Sequence, residues 1–409
     1  MNIFTGCIAS RAPGPVTAAV DIKSELACLA DPKNHKEYTA QLTKESSIPP
    51  NPCFRYNSSG GESWISFAAN HVYKNLVVPA ANMNKKVEDR YLLDSLRIKV
   101  ANESSDRRFK RVNIIVNHYV IDGMIYGKTD TLLNKKWVLA SLGNSAFYEY
   151  EISNPKNEIR QFCDSTGSNA LFFNYPEVGD SKGKITRHSL KDSYKAALAF
   201  LEDKRTGIGA DTIIGYGFSI GGGVQGIALL EHTLKDDIRY LFIKKQTFSN
   251  LDQTAFDLTD KFAPAFARPF VSPVSMNYLE IGMDNFSSCL HVSAPQIILQ
   301  RSIKPALCVL RHAEEVKDDG IITAESSLAL ALLQDPKNTE NKLILGVPED
   351  HFTELKSIQR IGAIANHILE TNKIENALIE EEFFCDSLDS EPLAVAIFFN
   401  QEKEEEAIF

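Results

Sequence analysis

Short apolar runs, rich in β-branched and aromatic residues, alternate with longer amphipathic segments from about residue 94 onward. The short runs are bounded by turn residues and predict buried strands at residues 96–100, 112–117, 170–174, 212–217, 240–243, 306–311 and 342–345. The longer segments carry apolar residues at helical spacing and predict helices at residues 157–164, 190–204, 223–232, 323–333 and 355–372. Strands that alternate with helices indicate an α/β fold with a mostly parallel central sheet and helices on both faces.

The segments that flank this pattern differ from it in composition. Residues 45–63, ESSIPPNPCFRYNSSGGES, are rich in Pro, Ser, Asn and Gly, which predicts a loop or linker. Residues 374–409 hold eleven acidic residues and one basic residue, whereas the formal net charge of the whole chain is -9. We therefore predict an N-terminal extension over residues 1–85, an α/β body over 86–373 and an acidic tail over 374–409.

Composition and charge exclude several classes of protein. Of the 409 residues, 44% are hydrophobic and 24% are charged, which is typical of a globular protein. Outside the tail, acidic and basic residues nearly balance, so the charge does not indicate nucleic-acid binding. We find neither an 18-residue apolar run nor the pattern of a signal peptide, so we expect no transmembrane span and no general secretory signal. The seven scattered cysteines predict free thiols of a cytoplasmic protein and no structural zinc.

One segment has the pattern of a serine nucleophile. Gly217, Ser219 and Gly221 form G-x-S-x-G between the predicted strand 212–217 and the predicted helix 223–232. In a nucleophile elbow the turn is so tight that the flanking positions must be glycine, and the serine is exposed at the start of the helix. The position of the pentapeptide between a strand and a helix therefore predicts that Ser219 is the nucleophile.

A serine needs a base to remove its proton and an acid to orient that base. In this type of fold the chain order is serine, acid, histidine, with each residue at a strand end. His351 follows the predicted strand 342–345, and Asp319 follows the predicted strand 306–311. Its neighbour Asp318 and the earlier Asp252 are alternative acids. The sequence contains no HExxH or comparable metal spacing, and we predict neither a metal nor a cofactor.

Acyl transfer also needs donors for the developing oxyanion. The backbone N–H of Ile220, directly after the nucleophile, is the expected first donor. We expect the second donor in the loop after the predicted strand 112–117, at Tyr119 or His118. This loop lacks the usual glycine-rich turn.

A further segment, Asn174-Tyr-Pro-Glu-Val-Gly-Asp-Ser-Lys-Gly, precedes the nucleophile strand. A strand followed by an N-Y-x-x-V-G-x-S-x-G loop resembles the α/β-hydrolase superfamily. More narrowly, this loop, the later G-F-S-x-G-G-G and the segment Thr247-Phe-Ser-Asn-Leu are similar to the chlamydial CHLPS hydrolase-like family. The resemblance covers about residues 95–370 and departs at Glu177, where glycine is commoner, and at His118.

The resemblance implies an α/β-hydrolase fold and a serine hydrolase that cleaves an ester or thioester. Residues 247–302 are rich in Phe, Pro and Met and predict a small cap over an apolar pocket, which favours an acyl or lipid substrate. Two alternatives are a non-catalytic scaffold that binds a partner and an acyltransferase that uses the same triad. Peripheral contact with a membrane is compatible with a lipid substrate.

The tail invites a second comparison. Glu380-Glu-Glu and Glu404-Glu-Glu are similar to the glutamate-rich export signals of Legionella type IV effectors. A hydrolase body with such a tail resembles the SidB and Sdb group of lipase-like effectors. The resemblance implies recognition by a secretion machinery and delivery into a host cell, and the alternative is a tail that only increases solubility.

Overall fold

The computed structural model describes residues 21–31, 52–58, 78, 80–82, 87–103, 106–262, 282–374, 379 and 383–384. The strands in this part of the chain are β1 (Pro52–Tyr56), β2 (Arg107–Val116), β3 (Tyr119–Lys128), β4 (Lys136–Ser141), β5 (Asn169–Phe173), β6 (Thr212–Phe218), β7 (Arg239–Lys245), β8 (Gln296–Arg301), β9 (Cys308–Val309) and β10 (Lys342–Val347). They form one sheet in the order β1-β2-β3-β5-β4-β6-β7-β8-β10-β9.

Most neighbouring strands in this sheet run parallel. Strand β3 is antiparallel to both β2 and β5, and β9 is antiparallel to β10. The strands from β5 through β10 otherwise pair in parallel, so their carboxyl ends lie at one edge of the sheet. A mostly parallel sheet with this crossover between β3 and β4, and with an elbow after β6, is the α/β-hydrolase fold, as the sequence predicts.

The helices in the described residues are α1 (Ile22–Ala30), α2 (Val87–Ala101), α3 (Tyr148–Ser153), α4 (Glu158–Thr166), α5 (Arg187–Glu202), α6 (Ile220–Leu229), α7 (Leu251–Phe262), α8 (Asn285–His291), α9 (Leu328–Leu333) and α10 (Ile358–Thr371). Helices α1, α5 and α6 pack on one face of the sheet, and α3, α4 and α10 pack on the other. Alternate strand residues supply the two cores: Ile213 and Phe242 face the first group, and Ile214 and Leu241 face the second.

The ends of these helices follow from local chemistry. The Asn157 side chain accepts hydrogen bonds from two amides of the first turn of α4, and Gly167 ends that helix with φ 65°. At α5, Thr186 and Ser189 form a reciprocal capping box. The start of α4 is thereby fixed beside the sheet, where its first residue, Glu158, contacts Lys245 of β7.

The sequence predictions hold for most of the sheet but not everywhere. Residues 96–100, predicted as a strand, lie in α2, because Leu93, Arg97 and Val100 recur at helical spacing on its buried face. Only Cys308–Val309 of the predicted strand 306–311 pairs with the sheet. Strands β1, β3, β4 and β8 were not predicted.

The N-terminal part of the chain contributes to the body of the protein. Ile22, Leu26 and Leu29 of α1 are buried in the larger core, and β1 pairs in parallel with β2 at the edge of the sheet. The Arg108 side chain donates to the Leu29 carbonyl oxygen at 2.9 Å. The domain boundary at residue 85 stays a prediction, but α1 and β1 pack as parts of the same fold.

The first part of the acidic tail also reaches the core. Ile379 is buried, and Phe383 and Phe384 are partly buried against the face that α10 covers. Residues 385–409, including the second glutamate cluster, lie outside the described residues. Among the described helices, none combines the length and the apolar character that crossing a membrane requires.

Candidate active site

Ser219 stands at a sharp turn between β6 and α6. Strand β6 ends at Phe218, and α6 begins at Ile220, so the serine is the residue that joins them. Its φ of 54° and ψ of -119° lie outside the regions that non-glycine residues usually adopt. This strained conformation is the one that a nucleophile elbow imposes on its serine.

The two glycines that flank Ser219 leave room for this turn. A Cβ atom on Gly217 would lie 2.7 Å from the Gly222 Cα atom, and one on Gly221 would overlap the carbonyl oxygen of Ser141. The obstructing atoms belong to the backbone, so they cannot move as a flexible side chain can. A side chain at either of the sequence-predicted elbow positions would clash with the backbone, so both positions require glycine.

We expect Gly221→Ala to lower the free energy of unfolding by about 2–4 kcal/mol, because the added methyl group must displace the backbone after β4. Gly167→Ala is the matched control, since nothing lies within 4 Å of the added atom and only its left-handed φ of 65° is penalised. That control should cost about 1 kcal/mol. Chemical denaturation measures both, and equal losses in the two variants would contradict the steric argument.

Ser219, His351 and Asp319 are brought together at the carboxyl edge of the sheet. The His351 Nε2 atom lies 3.0 Å from the Ser219 Oγ atom, and its Nδ1 atom lies 2.9 Å from the Asp319 Oδ2 atom. The backbone N–H of His351 also donates to the Asp319 carbonyl oxygen at 2.8 Å. His351 is 3% exposed and Asp319 is 1% exposed. The three side chains form a continuous hydrogen-bonded chain in the arrangement of a catalytic triad.

Asp319 is the acid that contacts His351. Its Oδ1 atom accepts hydrogen bonds from the amides of Ile321 and Ile322 at 2.9 and 2.8 Å, which leaves Oδ2 directed at the imidazole. Asp318 is exposed and accepts from the amide of Ala324. Asp252 lies in the first turn of α7, where its carboxylate packs beside Gly282. Of the three sequence candidates, Asp319 alone lies against His351.

The structure does not bring Tyr119, the predicted second oxyanion donor, close to Ser219. Tyr119 lies at the start of β3, next to the tight turn at Asn117 and His118, where it pairs with Val116. Strands β5 and β4 separate β3 from β6, which places Tyr119 about 14 Å from the nucleophile strand. The Tyr119 hydroxyl instead donates to the Ser189 carbonyl oxygen.

The loop after β4, and not the loop at Tyr119, lies beside Ser219. A Cβ atom on Gly143 would lie 3.0 Å from the Phe218 ring and 3.9 Å from the Ser219 Cβ atom. Ile220 is the first residue of α6, and amides of a first helical turn have no partner within their helix. The apolar run Trp137–Ala140 followed by Ser-Leu-Gly-Asn was the signal that could have identified this loop.

Within the described ranges, no group of three or more His, Cys, Asp and Glu side chains is arranged to hold a metal ion.

The sequence model of the family described as Chlamydia CHLPS protein (DUF818) matches residues 65–373, which is well over half of the chain. The chain belongs to this family. No curated protein matches this CHLPS-family chain. The resemblance of its tail to the SidB and Sdb effectors stays a prediction.

Solved structures similar to this CHLPS-family protein include an α/β-hydrolase of Vibrio vulnificus and an esterase of Pyrococcus furiosus. The first is 17% identical, covers 78% of this chain and 97% of its own, and has a TM-score of 0.49. The second is 15% identical, covers 68% of this chain and 91% of its own, and has a TM-score of 0.42.

The N-Y-P-x-V-G-x-S motif of this CHLPS-family protein fixes the loop after β5. The Asn174 side chain accepts from the Tyr148 amide and donates to Glu149, each at 2.9 Å. Asp180 accepts from Arg97 at 2.8 Å and from Arg111 at 2.9 Å. The motif thus joins this loop to α2, α3 and β2 through charged and polar contacts that are buried or part-buried.

Tyr175 of the same motif connects this loop to the site. Its hydroxyl lies 2.8 Å from the Ser141 Oγ atom and donates to the Leu142 carbonyl oxygen at 3.1 Å. The departure at Glu177 also has an explanation, because its φ of 65° is a conformation that favours glycine. The motif is a structural support for the loop that faces the nucleophile.

Proposed function

We propose that the protein is a serine hydrolase that cleaves a carboxylic ester or thioester through an acyl-serine intermediate. The hydrogen-bonded chain from Ser219 through His351 to Asp319 carries this proposal. Its support is the conjunction of three features: the strained serine, the buried histidine and an acid whose second oxygen is already held by two amides.

The geometry implies the following steps. The Ser219 Oγ atom attacks the carbonyl carbon while His351 Nε2 takes the hydroxyl proton, and Asp319 stabilises the resulting imidazolium. The Ile220 amide and an amide of the loop after β4 hold the oxyanion of the tetrahedral intermediate. His351 then protonates the leaving alcohol or thiol, and an acyl-serine remains. Water attacks this acyl group with His351 as the general base, which regenerates Ser219.

Apolar side chains near His351 favour an acyl or lipid substrate. The Phe218 ring lies 5.0 Å from the imidazole, and the Phe352 ring lies 5.4 Å from it in an edge-on arrangement. Phe352 is 78% exposed although it directly follows the histidine. An aromatic surface of this kind at the site matches an acyl chain better than a charged group.

A fluorophosphonate probe tests the proposed function because it reacts with activated serines. We expect the folded wild-type protein to be labelled at Ser219 and to hydrolyse p-nitrophenyl esters, and mass spectrometry of the labelled peptide identifies the site. Prior treatment with the probe should remove the esterase activity in proportion to labelling. A folded wild-type protein that is neither labelled nor active would overturn the proposal and favour the scaffold.

Delivery into a host cell, which the glutamate clusters imply, is a separate proposal. Its support is the sequence of the tail, and the packing of Ile379, Phe383 and Phe384 assigns the first part of that tail to the body. An export signal would therefore lie beyond Phe384.

A further inference from the structure

A buried lysine lies behind the candidate triad. Lys245 is the last residue of β7 and is 3% exposed, and its carbonyl oxygen accepts from the Ser219 amide at 3.0 Å. Its Nζ atom lies 4.7 Å from the centre of the Phe218 ring and donates to the Thr353 carbonyl oxygen at 3.4 Å. Phe218 immediately precedes the nucleophile, and Thr353 follows His351 by two residues. One ammonium group therefore contacts the segments that carry both Ser219 and His351.

Glu158, the partner of this lysine, makes a matching pair of contacts. Its Oε2 atom accepts from Lys245 Nζ at 2.7 Å and from the Leu355 amide at 3.3 Å. Its Oε1 atom accepts from the Tyr216 hydroxyl at 3.1 Å. Tyr216 lies in β6 before the elbow, and Leu355 lies in the loop after His351. The carboxylate thus bridges the same two segments from the start of α4.

We propose that the ion pair of Lys245 and Glu158 positions His351 relative to Ser219. Both charged groups are positioning residues, because they act on the reacting atoms through Phe218 and through the loop that follows His351. This inference rests on the proposed function and adds a role that the triad alone does not require.

A contribution to the stability of the fold does not by itself explain why this ion pair is buried. Burying two charges carries a desolvation cost that their attraction often only balances, so apolar residues of similar size frequently stabilise a fold as well or better. What a buried ion pair can add is conformational specificity, because it favours one geometry over similar alternatives. Here the ammonium and carboxylate groups make four further contacts, with Phe218 and Tyr216 of the strand before Ser219 and with Thr353 and Leu355 of the loop after His351.

Other charged groups pack around the same pair and the imidazole. Glu151 and Glu354 face Lys245 and Glu158 from α3 and from the histidine loop, and burial together with these neighbouring carboxylates raises the pKa of Glu151 to about 7. Asp319 faces His351 directly. Glu349 and Asp350 precede the histidine on its own loop. Lys156 interacts with Glu354, and Arg301 interacts with Asp350. Lys245 is the cation that contacts Glu158 and faces Glu151, so removing either partner changes the field at His351.

The test compares Lys245→Met, Glu158→Gln, the double variant and the conservative Lys245→Arg. We expect each single neutral variant to slow labelling of Ser219 by a fluorophosphonate about tenfold to a hundredfold. Lys245→Met leaves negative charge near the imidazole and should move the acidic limb of the pH–rate profile to higher pH. Glu158→Gln leaves positive charge and should move it to lower pH, each by about half to one pH unit. Lys245→Arg should recover most of the rate.

Arg160→Met is the matched control, because it breaks another ion pair from the same helix, that of the buried Arg160 with the part-buried Glu103. It should lower the melting temperature and leave the labelling rate and the pH profile unchanged. If a single variant does not fold, the double variant removes both charges and should fold, yet still be labelled about tenfold more slowly than the wild type.

Three outcomes would overturn the positioning role. The first is that folded single variants are labelled at the wild-type rate with unchanged pH–rate profiles. The second is that the pH–rate profiles of both single variants shift in the same direction. The third is that the double variant is labelled as fast as the wild type. A folded wild-type protein that is never labelled would instead overturn the proposed function, and the positioning role with it.

Discussion

Replacing Ser219 by alanine should abolish labelling by a fluorophosphonate and lower ester hydrolysis by about ten-thousandfold or more. The large effect is expected because His351 then has no hydroxyl to activate, and what is left is the stabilisation that oxyanion donors and substrate binding give to an uncatalysed attack by water. The fold should survive, since alanine keeps the Cβ atom that already occupies the strained turn. Burst kinetics with a p-nitrophenyl ester measure the loss of hydrolysis, and circular dichroism measures whether the fold is kept.

Ser302→Ala is the matched control for this substitution. Ser302 is also buried beyond the end of a parallel strand, but its hydroxyl donates to the Lys304 carbonyl oxygen and does not contact the triad. We expect Ser219 of the Ser302→Ala variant to be labelled at the wild-type rate. Residual labelling of Ser219→Ala at the same peptide or with the same stoichiometry would show that another residue is the nucleophile.

Asp319→Asn should reduce turnover by about a thousandfold or more while leaving substrate affinity nearly unchanged. An asparagine can still accept hydrogen bonds from the Ile321 and Ile322 amides through its oxygen. The amide group that replaces Oδ2 cannot accept the proton of His351 Nδ1, so the ring adopts the wrong tautomer and its cation loses its stabilising charge. Steady-state kinetics separate the fall in kcat from any change in KM.

Asp318→Asn provides the comparison from the adjacent position. Its carboxylate accepts from the Ala324 amide and is exposed, and asparagine can keep that contact. We expect activity within about threefold of the wild type, in line with a surface substitution. A greater loss in Asp318→Asn than in Asp319→Asn would mean that the acid has been assigned to the wrong residue of the pair.

The sequence was sufficient for the features that have a local signature. The elbow is defined by five consecutive residues and by the elements on either side of them, so Ser219 and its glycines could be located from spacing alone. The histidine followed from a strand that ends shortly before it. In each case the informative residues lie within about ten positions of each other.

Features that depend on contacts between distant parts of the chain were harder to predict. The second oxyanion donor was predicted in the loop after β2 because β3 and β4 were not recognised as strands, and β2 lies three strand positions from β4 in the sheet. Strand β8 was missed as well. The prediction therefore related Asp319 to the strand 306–311, of which only the two residues of β9 pair with the sheet. The pair of Lys245 and Glu158 joins residues 87 positions apart, and no pattern in either segment indicates the other.

The short outer strands of the sheet have a consequence for solubility. Strand β9 is two residues long, and β1 begins with a proline, so neither presents a long unpaired backbone to another molecule. Strand β1 covers residues 113–116 of the ten-residue, largely buried β2. A chain shortened to the family boundary at residue 65 would lose that cover. The uncovered residues 113–116 would then be a template for strand addition between molecules, so trimming this protein to its family core favours aggregation.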